Sequence, residues 1–153
     1  TTERVYQAFY AEYAAGKAFL HSHSYTGNPL ACRAALATLE IFREQPVLAR
    51  NRQLAAHLAK RLEPLREHPQ IADVRQTGLI AALELVADKP SRRPYSAADR
   101  RGLRVYSHGL EHGALLRPLG NVVYFMPPYV IDEAQIDTLV DVAIAGIAQA
   151  TAD

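Results

Sequence analysis

Cysteine is all but missing from this chain. Cys32 is the only one among 153 residues, so no intrachain disulfide can form, and a reducing, cytoplasmic setting suits the composition. No apolar run approaches the ~20 residues that cross a bilayer, and the first residues carry no signal-peptide pattern. An excess of one charge is missing too. Lys and Arg number 17 against 16 Asp and Glu, for a formal net charge of +1. Apart from Arg92-Arg93 and Arg100-Arg101 the arginines are scattered, so nucleic acid is not an expected partner. Internal repeats and low-complexity runs are absent. What is present is an ordinary globular composition, 49% apolar and 22% charged, in a chain long enough for one domain with a sizeable core.

The stretch with the densest chemistry is His21-Ser22-His23-Ser24-Tyr25-Thr26-Gly27-Asn28-Pro29-Leu30-Ala31-Cys32. Asn28 before Pro29 reads as a helix N-cap with proline at the first helical position, where its missing N–H costs nothing. The positive end of that helix and its free amides would lie near Ser22, His23 and Ser24, a setting that suits an anion, phosphate above all. An ordinary capped helix after a polar loop is the plain alternative.

Ahead of this loop, Thr2 is placed to cap a helix from Glu3 to about Ala15, ended by Gly16, and Ala18 to His21 reads as a short strand-like approach. The Ala-rich helix from Pro29 to about Arg43 invites close packing against another helix or subunit. After Pro46 a second helix sets Leu48, Leu54, Leu58, Leu62 and Leu65 on one face. The period then changes. Ile71–Thr77 reads as a strand, Gly78 as a bend, Leu79–Val86 as a more buried strand, and Ala87 to Pro94 as a loop. Ser96 begins a helix to about His112 with Leu103, Tyr106 and Leu110 inward, and Gly113 ends it. Ala114–Pro118 and Val122–Met126 are strands around a Leu119-Gly120-Asn121 turn. Asp132 caps the last helix, with Gln135 completing a capping-box pattern and Ile136, Leu139, Val140, Ala143, Ile144 and Ile147 as its apolar stripe. The fold class is α+β: long helices, then a mostly antiparallel sheet covered by helices on one face.

Arg117 stands at a strand end beside a proline and a glycine turn. Its planar fork can hold a carboxylate through two hydrogen bonds, which suits an amino-acid or keto-acid substrate; a structural ion pair is the other use. His21-x-His23 with Cys32 offers ligand types for a metal, but Cys32 lies a turn into the helix. His108-x-x-x-His112 has helical ligand spacing without an acid between the two or an evident third ligand. Ser24 lacks the elbow motif of an acyl-transfer nucleophile. No metal site is expected. Tyr124 and Tyr129 bracket Met126-Pro127-Pro128 and serve sheet packing or a pocket wall.

Two blocks, HSHSYTGNPLACRAALATLEIF and GALLRPLGNVVYFMPPYVI, resemble the class III (fold type I) pyridoxal-phosphate aminotransferases, in the family's order and over nearly the whole chain. The resemblance implies that Ser24 contacts the phosphate of pyridoxal 5'-phosphate across a homodimer interface and that His23 touches the cofactor. It implies that Ser22 and Arg117 touch substrate, Arg117 through its carboxylate. Many relatives have glycine where this chain has Ser22, and proline is common in place of His23. The second block is similar to the biotin-pathway branch of the family, whose donor is S-adenosylmethionine and whose acceptor is 8-amino-7-oxononanoate.

The family's cofactor lysine lies upstream of His21 in a different local sequence, so Lys17 is not that lysine and no catalytic residue is assigned here. The expectation is a C-terminal piece of a longer enzyme, inactive alone and prone to self-association through normally covered surface. Residues 1–28 would belong to the large cofactor domain, 29–66 would be connecting helices, and 67–153 a C-terminal α+β domain. Another class III ω-amino-acid aminotransferase, or a non-catalytic interaction domain docking through the Ala-rich helix and exposed sheet, are the alternatives.

Overall fold

A computed structural model describes residues 1–152; Asp153, the last residue of the expected C-terminal domain, lies outside the described residues. Contacts divide the chain into two compact units, one of Thr1–Glu44 and one from Gln45 on.

The first unit is two helices and an irregular connection. Helix α1 covers Glu3–Phe9 only, and Tyr13–Ala15 form a separate 3-10 turn that ends on left-handed Gly16. Thr2 makes no side-chain cap. The expected single helix to Ala15 is thus broken, and no strand forms at Ala18–His21. Instead the rings of Phe19, His21, His23 and Tyr25 meet in succession, with centroids 5.5, 4.9 and 5.1 Å apart. Helix α2 covers Pro29–Glu44, as its cap signal indicates. Asn28 Oδ1 accepts from the amides of Leu30 at 3.0 Å and Ala31 at 3.1 Å. No residue from 1 to 46 is buried.

The second unit holds the core. Helix α3 (Val47–Leu62) buries Leu54, Leu58 and Leu62, and the 3-10 turn after it buries Leu65; Leu48 stays in solvent. Strands β1 (Ile71–Thr77), β2 (Ile80–Asp88), β4 (Arg117–Leu119) and β5 (Val122–Phe125) form an antiparallel sheet in the order β1-β2-β5-β4. The two-residue β3 (Arg93–Pro94) pairs with β2, inside the stretch expected to be loop. The register sets alternate rows on opposite faces. Val74, Leu83 and Val123, with Ala81 and Phe125, point into the core, where they meet α3, α4 (Arg101–Glu111) and α5 (Glu133–Ala150).

Helix α4 corrects the sequence reading. Ser96 caps only a 3-10 turn at Ala97–Asp99, and left-handed Arg100 separates this from the helix. Its buried face is Arg101, Gly102, Val105 and Gly109, while Leu103 and Leu110 are exposed. The reason is steric. A Cβ on Gly102 would stand 2.2 Å from the Gly120 carbonyl oxygen, and one on Gly109 would stand 2.5 Å from that of Ala114. The backbone of α4 lies so close to the strands that only glycine fits. Arg101 is buried with it, donating from Nη1 to the Ala150 carbonyl at 2.6 Å and lying over the Tyr95 ring.

Helix α5 starts in the expected capping box between Asp132 and Gln135 and buries Ile136, Val140, Ala143 and Ile147. Polar ties bind it to α3. The His57 ring and the Arg61 guanidinium both reach Asp137 Oδ1, at 2.7 and 2.9 Å, and Arg61 also pairs with Asp141. Arg50 Nη2 donates to the Ile131 carbonyl at 2.8 Å, anchoring the Pro127-Pro128 connection that leads into α5. No helix is long and apolar enough to cross a membrane among the described residues.

Candidate active site

The loop ahead of α2 is a turn closed by Thr26. Its Oγ1 accepts from the His23 amide at 2.9 Å, and its own amide donates to the His23 carbonyl at 2.9 Å. His23 therefore has both backbone groups committed, and its ring is stacked on Tyr25 within 2° of parallel. Ser22 and Ser24 are exposed, and the Ser24 hydroxyl and amide have no partner among the described residues. Asn28 itself takes the first amides of α2, which corrects the expectation of several free donors at that helix end. Among the donors left in the turn are the Ser24 hydroxyl and amide.

Arg117 lies on the sheet face turned away from the core. Register places it opposite Tyr124, Tyr124 opposite Ala82, and Ala82 opposite Arg75, so these four form one cross-strand row on that face. Arg117 is exposed and has no hydrogen-bond or ion-pair partner among the described residues. Its use as a structural ion pair is thereby removed. Tyr124 is half-buried beside it, whereas Tyr129 is exposed on the loop that follows.

At the far end of the row Arg75 differs. Its Nη1 donates to Asp73 Oδ2 at 2.9 Å and to Glu84 Oε2 at 2.8 Å. The bond to Glu84, then that to Asp73, raises its pKa above the ordinary arginine value. Reading the sequence singled out none of these three residues. The period-2 alternation of β1 and β2 was the signal that puts them on the outer face, but pairing them with Arg117 needs the register of the whole sheet.

The remaining candidates do not assemble into a site. Among the described residues no three His, Cys, Asp or Glu side chains come together as metal ligands, and Cys32 is exposed on α2. The His108 and His112 rings stack with centroids 4.1 Å apart. His108 Nδ1 lies 2.9 Å from Gln149 Oε1, and His112 Nδ1 donates to the His108 carbonyl at 2.8 Å. Lys17 is exposed, and Lys89 caps the carbonyls of Arg66 and His68.

Comparison with known proteins shows the family. The family model for aminotransferase class III matches residues 1–146. Adenosylmethionine-8-amino-7-oxononanoate aminotransferase of Geobacter sulfurreducens is 44% identical over 140 residues, 92% of this chain and 31% of that protein. The enzyme of the same name from Methanocaldococcus jannaschii is 39% identical over 98% of this chain and 32% of its own length. The crystal structure of the M. jannaschii enzyme superposes with a TM-score of 0.87 at 39% identity, covering 97% of this chain and 34% of that one. The PMP-bound aminotransferase of Vibrio fluvialis gives 0.82 at 29% identity, over 92% and 31%. The chain thus spans about a third of the length of the curated relatives it matches. It belongs to the class III aminotransferase family.

Proposed function

We propose that this chain is the C-terminal part of a pyridoxal-phosphate aminotransferase that moves an amino group from S-adenosylmethionine to 8-amino-7-oxononanoate, giving 7,8-diaminononanoate for biotin synthesis. The observation that carries the reading is Arg117, an unpaired guanidinium on the outer sheet face with Tyr124 beside it. Relatives named adenosylmethionine-8-amino-7-oxononanoate aminotransferase align over 92% and 98% of this chain, which supports the substrate assignment.

The donor set suits the cofactor's phosphate. Ser24 offers an unpartnered hydroxyl and amide at the positive end of α2, with no carboxylate in the turn to repel an anion. In the proposed homodimer Ser24 would donate to the phosphate across the interface, and His23 would touch the cofactor. Ser22 and Arg117 meet substrate. Residues 1–28 serve the cofactor domain, 29–66 connect, and the remainder forms the C-terminal domain. The setting is the cytoplasm. When bound, the cofactor supplies the electron sink that amino transfer requires. Arg117 grips the substrate carboxylate with two parallel N–H···O bonds and so fixes the far end of the acid, orienting its reacting end.

The lysine that joins the cofactor lies outside this chain in the proposed arrangement. The chain alone therefore does not transaminate, and borohydride trapping of cofactor on a lysine of this chain would overturn that. The decisive assay uses the full-length enzyme with S-adenosylmethionine and rival ω-amino donors. S-adenosylmethionine is expected to be the productive donor. Arg117→Met is expected to raise KM for the acid acceptor about 100-fold, the worth of a charge-assisted bidentate contact of ~3 kcal/mol. Efficient use of an ω-amino acid instead, or an unchanged KM, would contradict the assignment.

A further inference from the structure

Two adjacent rows of the outer sheet face carry two arginines, Arg75 and Arg117, and two carboxylates, Asp73 and Glu84, and the sharing is uneven. Asp73 and Glu84 both bond to Arg75, while Arg117 has neither. Glu84 lies in the row next to that of Arg117, with Val122 between them on β5. Two strand spacings across and two residues along put the Cα atoms of Glu84 and Arg117 about 12 Å apart. Extended Glu and Arg side chains bridge such a span. A Glu84 released from Arg75 would thus compete with an incoming acid for the Arg117 fork, or repel it from nearby.

We infer that Arg75 is a positioning residue for acid recognition: by holding Asp73 and Glu84 it keeps Arg117 unpaired and open to a substrate carboxylate. The inference rests on the proposed reading of Arg117 as the acid contact. It also assigns an order to the row. The cation at the β1 end neutralises the resident carboxylates, Ala82 and Tyr124 separate the two guanidinium groups, and the cation at the β4 end is left for ligand. Asp73 and Glu84 keep 37% and 43% of their side-chain surface in solvent, so what their bonds to Arg75 fix is the direction of the two carboxylates on the face.

The test compares 8-amino-7-oxononanoate with its neutral carboxamide on the full-length enzyme, by KM and by calorimetric dissociation constant. Arg75→Met is expected to weaken binding of the acid about fivefold, the effect of one uncompensated charge near 10 Å at intermediate dielectric, and to leave the carboxamide unchanged. Adding Glu84→Gln is expected to restore most of the loss. Arg75→Lys should stay near wild type. Equal weakening of acid and carboxamide would show a merely structural role and overturn the inference, as would failure of Glu84→Gln to restore. Should Arg75→Met not fold, Glu84→Gln and Asp73→Asn/Glu84→Gln decide instead. Acid binding equal to or tighter than wild type supports the inference, and weaker binding refutes it. Arg117→Met tells the two failures apart. If it leaves acid binding intact the reading of Arg117 falls; if it abolishes acid binding while the Arg75 and Glu84 variants do not behave as stated, only this inference falls.

Discussion

The first 46 residues leave Val5, Phe9, Leu30, Leu36, Leu39 and Ile41 in solvent and bury nothing, whereas the residues from Leu54 to Ala150 close a core around Leu58, Leu83, Phe125 and Ile136. Both stretches are rich in apolar side chains. They differ in what those side chains find within reach. Past residue 46 two-residue alternation in the strands and the stripes of α3 and α5 present matching faces, and each element buries its face on another. Before it, α1 and α2 are joined by an irregular ring-stacked segment that offers no sheet to pack on. A helix draws most of its stability from such packing. Exposed apolar surface on this scale is what the proposed homodimer would cover.

Substitution should separate the two regions, with the largest effect in the core. Leu58→Ala, at a position 1% exposed, is expected to cost ~3 kcal/mol in urea unfolding of the chain, and Leu36→Ala in α2 less than ~0.5 kcal/mol. Similar losses for both would mean the first region has a core after all. Gly102→Ala drives a methyl group against the Gly120 carbonyl and should cost ~2 kcal/mol by forcing α4 off the strands. Thermal unfolding measures it.

The two helix caps sharpen the contrast at about 1 kcal/mol each. Asp132→Ala, which removes the capping box of α5, should lower the global unfolding free energy. Asn28→Ala, which frees the amides of Leu30 and Ala31, should reduce helix content near α2 by circular dichroism and leave the global midpoint in place. The smallest effect is a titration. The side chain and then the backbone of Ser91 bond to Asp88 and hold its carboxyl below the ordinary value. A depressed folded pKa contributes stability above the unfolded value that is lost as pH falls through the folded one. Ser91→Ala should move the Asp88 pKa up toward the ordinary carboxylate value by NMR and narrow that acid window; an unmoved pKa would contradict the contact. Sedimentation of the 153-residue chain should show self-association, and a strict monomer at high concentration would count against an exposed docking face.

Legibility in the sequence depended on how far apart the interacting residues lie, not on which region they belong to. Asn28-Pro29, the strand Ile71–Thr77 and the Asp132–Gln135 box were readable because each is a local signal whose partner is a few residues away. The inward face of α4 was not. Leu103 and Leu110 look like core, but close approach of backbone to the strands selects glycines, which no count of apolar residues reveals. Ser24 and Arg117 were marked by motif. Their surroundings were not readable, because the freedom of Arg117 depends on Arg75, Asp73 and Glu84 arriving on the same face through pairings across four strands.

In the proposed function the two regions do two jobs: a turn before residue 46 binds phosphate and a clamp after it holds the acid. One pair of titrations on the full-length enzyme tests this directly. Ser24→Ala should raise the dissociation constant of pyridoxal phosphate about tenfold, the worth of one charge-assisted hydrogen bond, with KM for 8-amino-7-oxononanoate unchanged, and Arg117→Met should do the reverse. Both substitutions shifting the same constant, or neither shifting any, would contradict the division.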